Sequence, residues 1–73
     1  MSGRPSAATP ESPAPAEIRA AREAAGLTQP VAAALIYCTA RGWQDWEGGQ
    51  RRMHPAMWEL WRIKARRKRA KSL

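Results

Sequence analysis

A chain of 73 residues with 13 Lys and Arg against 6 Asp and Glu carries a formal net charge of +7, and its isoelectric point lies near 11.2. That length allows one small domain at most, and the positive excess points to a polyanionic partner, nucleic acid before an acidic membrane surface. One cysteine, Cys38, and one histidine, His54, exclude an internal disulfide and offer no metal-ligand cluster. There is no nucleophile beside a base, no carboxylate pair in an apolar setting and no glycine-rich phosphate loop, so neither an enzyme nor a cofactor is expected. The lone cysteine fits a reducing cytoplasm, and no apolar run reads as a signal peptide or reaches transmembrane length. A cytoplasmic protein is expected.

The opening stretch "MSGRPSAATPESPAP" is Pro, Ser and Ala with no apolar period. Such a segment cannot bury surface, so residues 1–14 are expected to be disordered. Order should begin at Pro15, which suits a first helical turn because its missing N–H is not needed there. "AEIRAAREAAG" reads as a helix with Ile18, Ala21, Arg22 and Ala25 on its inward face, and Gly26 ends it. Arg22 is the odd member of that stripe. An inward charge needs a partner, or else its head must snorkel to water along its own stem.

"LTQPVAAALIYC" gives a short second helix, capped by Thr28, with Pro30 harmless in the first turn. Its inner face is expected to be Val31, Ala32 and Leu35, small enough for a neighbouring helix to approach closely. Ile36, Tyr37 and Cys38 then form a tight connection, and Thr39 caps a third helix, "ARGWQDWE", which Gly48 and Gly49 stop. Trp43 and Trp46, three apart, share the buried face, leaving Arg41, Gln44 and Asp45 outward. After the basic loop "GQRRM", Pro55 opens a last helix, "PAMWELWRIKARRKR". Met57, Leu60, Trp61 and Lys64 make one stripe of it; Trp58, Arg62 and Ala65 make the next. A core needs only one, so Trp58 either widens the core or serves a second contact with another copy of the chain. Residues 66–73 are nearly all charge and read as a solvated basic tail or a phosphate-binding arm.

Two short helices joined by a tight turn, the second capped by Thr and polar at its start, make a helix-turn-helix. The order "REAAGLTQPVAAALIYCTARGWQDWEGGQRRM" resembles the Cro/C1 (XRE-type) helix-turn-helix family over residues 18–55, through "AGLTQ", "LIYCT" and "WQDWEGGQRR". More weakly it resembles the compact phage and plasmid members, including small anti-CRISPR-associated autorepressors. The resemblance implies an all-α, four-helix domain of lambda-repressor-like type over residues 15–65. It implies a structural ion pair between Arg22 and Glu47. It makes the third helix the recognition helix, with Ala40, Arg41, Gln44 and Asp45 as base contacts. Arg41 would span a guanine, Ala40 would offer a methyl to thymine, and Asp45 would orient Arg41. Thr28, Gln29, Thr39, Arg51 and Arg52 are the implied phosphate contacts.

The sequence departs from the family at the turn, where Tyr37 replaces the usual glycine, and in the basic tail that stands in place of a fifth helix. An ordered part of about 50 residues is marginal alone, which favours a homodimer through Met57, Trp58 and Trp61 reading an inverted repeat in double-stranded DNA. The expectation is thus a sequence-specific DNA-binding repressor, with the resemblance implying action on its own promoter. The rival readings are a protein-interaction or antitoxin-like module using the Trp58/Trp61 face, and an RNA- or membrane-surface-binding peptide driven by residues 66–71.

Overall fold

Pro15 opens the first of four helices in the computed structural model, which describes residues 11–71 of the chain. The helices are α1 (Pro15–Ala24), α2 (Gln29–Ala34), α3 (Ala40–Gly48) and α4 (Pro55–Lys71). The fold is all-α, as the periodicity predicts. Of the segment expected to be disordered, residues 1–10 lie outside the described residues. Residues 11–14 form no helix, and Pro13 is buried.

Local chemistry sets each boundary. The Glu17 carboxylate accepts the Ala14 N–H at 3.3 Å, satisfying one of the donors that a helix start leaves over. Past Ala24 the chain turns through Gly26 at φ +72°, a left-handed conformation that costs glycine little. The Thr28 hydroxyl accepts the Val31 N–H at 3.4 Å and the Thr39 hydroxyl accepts that of Gly42 at 3.1 Å, so both threonines are N-caps. Gly49, at φ +84°, closes α3.

The α2–α3 turn is made differently from a glycine turn. Tyr37 stands at φ +61°, where a side chain costs roughly 1–2 kcal/mol, and its ring remains exposed. The Lys64 ammonium lies 4.4 Å from the centre of that ring and donates at 2.9 Å to the Leu35 carbonyl. The cation therefore satisfies a carbonyl at the end of α2 while holding the strained tyrosine.

The core consists of Ile18, Ala32, Ala33, Ile36, Trp43, Trp46, Met53, Trp58, Trp61 and Ala65. Its centre is aromatic. Trp61 lies 5.3 Å from Trp43 and stacks on Trp58 at 5.8 Å, while Trp43 meets Trp46 edge-on at 5.7 Å. The buried Trp61 N–H donates to the Ala32 carbonyl at 3.0 Å. An indole can sit that close to the α2 backbone only because alanines lie beneath it.

That contact corrects the expected inner face of α2. The face turns inward at Ala32, Ala33 and Ile36; Val31 is 40% exposed, and Leu35 is half-buried. In α4, of the two alternatives left open, Trp58 widens the core. The core stripe is Trp58, Trp61 and Ala65, whereas Leu60 and Ile63 are the exposed apolar residues. A dimer surface at Met57, Trp58 and Trp61 does not agree with this packing. Trp61 is 1% and Trp58 8% exposed within a single chain, with Met57 packed against them, so the tryptophans have no face left for a second copy. Finally, α4 runs as helix through the basic segment to Lys71, two residues beyond the stretch the sequence suggests, so the domain boundary drawn at residue 65 falls within it.

Candidate nucleic-acid interface

The third helix is built with two opposed faces. Trp43 and Trp46 are buried and the Glu47 side chain is only 7% exposed, which fixes the inward side. Arg41 and Gln44 are exposed on the other side, and Ala40 and Asp45 are half-exposed there. At 100° per residue these four positions share one arc. The structure therefore brings all four expected base-contact residues onto a single outward strip.

Along the strip, Arg41 Nε lies 3.7 Å from Asp45 Oδ1, one helical turn on. The arginine side chain is 83% exposed, so the ion pair itself adds little to stability. What it does is bias the guanidinium toward one side of the helix while leaving its remaining N–H groups toward solvent. Gly42, next to Arg41, presents no side chain, and a Cβ there would meet only the Thr39 hydroxyl at 3.4 Å.

The inward side is anchored through one carboxylate. Arg22 in α1 donates to Glu47 in a forked pair, Nε to Oε2 at 2.6 Å and Nη2 to Oε1 at 3.2 Å. Its third nitrogen donates to the Leu27 carbonyl at 3.0 Å. Gln29 at the head of α2 adds a bond to Glu47 Oε1 at 3.1 Å, and the Trp43 indole N–H donates to Oε2. Burial pushes the Glu47 carboxyl up, but the hydrogen bonds from Arg22, Trp43 and Gln29, with the Arg22 charge, outweigh it and hold the group below the usual carboxylate range. The bond to Glu47 raises Arg22 against its own desolvation. Snorkelling is not what this arginine does.

A groove opens over that anchor between α1, α2 and α3, lined by Arg19, Arg22, Thr28, Gln29, Gln44 and Glu47. Thr28 and Gln29 thus stand beside Gln44 of the outward strip. Both are already engaged in holding the fold: Thr28 caps α2 and Gln29 binds Glu47. Each nonetheless keeps a donor, the Thr28 hydroxyl proton and the second Gln29 amide N–H. Thr39 is likewise an N-cap with its hydroxyl proton to give. Arg51 and Arg52 are exposed in the loop after α3. Its backbone is held to that helix by the N–H groups of Gln50 and Arg51, both donating to the Asp45 carbonyl at 3.0 and 3.3 Å. Arg52 borders a separate groove with Glu11, Ser12 and Pro15.

Two residues, one in the groove and one at the α2–α3 turn, have contacts that sequence reasoning did not single out. Arg19 lines the groove while paired to Glu23 at 3.2 Å, and nothing in its spacing marked it. Lys64 was legible in principle, since a lysine on an otherwise apolar stripe needs an acceptor. Among the described residues no group of His, Cys, Asp or Glu could hold a metal ion, and no helix is long and apolar enough to cross a membrane.

Against known proteins, a family model described as a helix-turn-helix domain matches residues 16–60, which is more than half of the chain. No curated protein matches it.

Proposed function

The chain belongs to the helix-turn-helix domain family, a family of DNA-binding domains, and from that premise we propose that it is a cytoplasmic, sequence-specific transcriptional repressor of the Cro/C1 (XRE) type. On this reading α3 enters the major groove and Arg41 spans the O6 and N7 of a guanine. Asp45 orients Arg41, Gln44 reaches base or phosphate, and Ala40 meets a thymine methyl. Thr28, Gln29, Thr39, Arg51 and Arg52 hold the flanking phosphates, chiefly through N–H and O–H donors. Residues 15–65 are the reading domain and the basic segment after it an accessory. The observation that carries the proposal is the polarity of α3: its inward face is committed to the core and to Glu47, and its outward face holds an arginine, an amide and a carboxylate with little else to do.

Two copies reading an inverted repeat, and regulating the chain's own promoter, complete the proposal. They pair through the exposed Leu60 and Ile63 of α4 rather than through the tryptophans. The protein-interaction reading based on a Trp58/Trp61 face loses its surface to the core.

Selection of bound duplexes from a random pool at about physiological salt tests the reading. An inverted repeat with half-sites about one helical turn apart is the expected product. Arg41→Ala should then lower the preference for its guanine by roughly 1–3 kcal/mol, about 5- to 150-fold, with the melting temperature unchanged. Recovery of no consensus from the native chain would refute sequence-specific reading.

A further inference from the structure

The net charge of this chain is not spread over it. Residues 62–71 hold 7 of the 13 Lys and Arg and none of the 6 Asp and Glu, which leaves residues 1–61 with 6 of each sign. The body that contains α1, α2 and α3 is therefore formally neutral. Much of what positive charge it has is also internally matched, through Arg22 with Glu47, Arg19 with Glu23 and Arg41 with Asp45. Sequence-independent attraction to a nucleic acid grows with the number of phosphates neutralised, and a neutral body supplies little of it.

The basic segment is also placed. It is the continuation of α4, not a separate tail, and α4 is pinned where it passes the α2–α3 turn by the Lys64 bond to the Leu35 carbonyl. Seven more helical residues follow Lys64, which carries the axis about 10 Å beyond that contact. The turn it passes leads directly into Thr39 and the start of α3, the end from which Arg41 projects. Arg66 and Arg67 are exposed on this extension, while Arg62 lies farther back, 5.5 Å from the centre of the Trp58 ring.

We propose that the C-terminal half of α4 is a helical arm that grips the DNA backbone beside the segment read by α3 and supplies most of the protein's electrostatic affinity. The proposal rests on the DNA-binding reading above but not on sequence specificity. It divides the labour by position: α3 chooses the sequence, and the arm provides attraction that is the same for every sequence. The occupant is duplex DNA because the arm is joined rigidly to the helix-turn-helix and its charge complements a phosphate backbone. A phospholipid surface shares that charge, and the experiment separates the two.

The test is fluorescence anisotropy of the full chain on two unrelated labelled duplexes across a salt series, with anionic phosphatidylserine vesicles in parallel. Arg66→Gln with Arg67→Gln should reduce the slope of log affinity against log salt by about 1.8, or about 60-fold in affinity near 0.1 M salt, by the same factor on both duplexes. Arg66→Lys with Arg67→Lys keeps the charge and should keep the slope. An unchanged slope in the glutamine variant overturns the proposal, as does an equal loss in the lysine variant. So does a loss confined to vesicle binding. A native chain that binds a duplex recovered by the selection above no more tightly than these two, and whose slope still falls with the glutamine pair, refutes the specific-reader function and leaves the arm standing.

Discussion

Arg22→Ala is expected to lower stability by as much as about 3–5 kcal/mol, the cost of leaving one partner of an ion pair whose side chains are only 14% and 7% exposed without the other. A domain of this size has a total stability of the same order, so the variant should be largely unfolded at pH 7. The pH dependence gives the effect a signature that a simple packing defect lacks. In the native protein the Glu47 carboxyl is held below its ordinary range. Its contribution is complete above the unfolded value of about 4.3 and is lost as pH falls through the depressed folded value. Native stability should therefore decline under acid conditions. Without Arg22 the carboxyl loses both the strongest of the bonds that lower it and the neighbouring charge, so its folded value rises from the native one. The variant therefore has less to lose on acidification than the native protein. Urea unfolding followed by tryptophan fluorescence should show native stability falling as pH drops below about 4.3, and the gap to the variant narrowing there. An unchanged melting temperature at pH 7 would show that Glu47 is held by something other than this pair.

Trp61→Ala should be comparably severe, about 3–5 kcal/mol, from the lost indole and the cavity it leaves. The ring is 1% exposed, contacts both Trp43 and Trp58, and donates to the Ala32 carbonyl. Because these partners belong to the same chain, the loss should be independent of protein concentration. Analytical ultracentrifugation alongside denaturation would decide the matter. A defect that disappears as concentration rises would place Trp61 between chains and overturn its assignment to the monomer core.

Much of this was legible in the residues. Helix starts at Pro15 and Pro55 follow from what proline cannot donate, and the caps at Thr28 and Thr39 from what a short hydroxyl side chain can accept. The burial of Trp43 with Trp46 followed from three-residue spacing. The tryptophans of α4 were harder. Trp58 and Trp61 sit on neighbouring stripes, and a period of 3.6 does not say which stripe faces the core; the alanines of α2 and the ring of Trp43 decide it. Val31 failed for the same reason: a valine looks more core-like than an alanine until an indole has to lie against the backbone. Tyr37 was legible as a conflict, and its outcome, a left-handed residue beside Lys64, depended on a lysine 27 positions away.

The gathering of donors on Glu47 has a consequence for motion. Alone, α3 is a poor helix, nine residues long with Gly42 inside it and glycine at its end, and isolated helices this short barely form in water. Here its last turn cannot fray without releasing a carboxylate that α1 and α2 also hold. Opening α3 therefore means opening the three-helix unit. Its amide protons should exchange with solvent at the rate of global unfolding rather than by local breathing. A helix kept this still has surrendered its conformational entropy during folding, so little remains to be lost when it meets a partner.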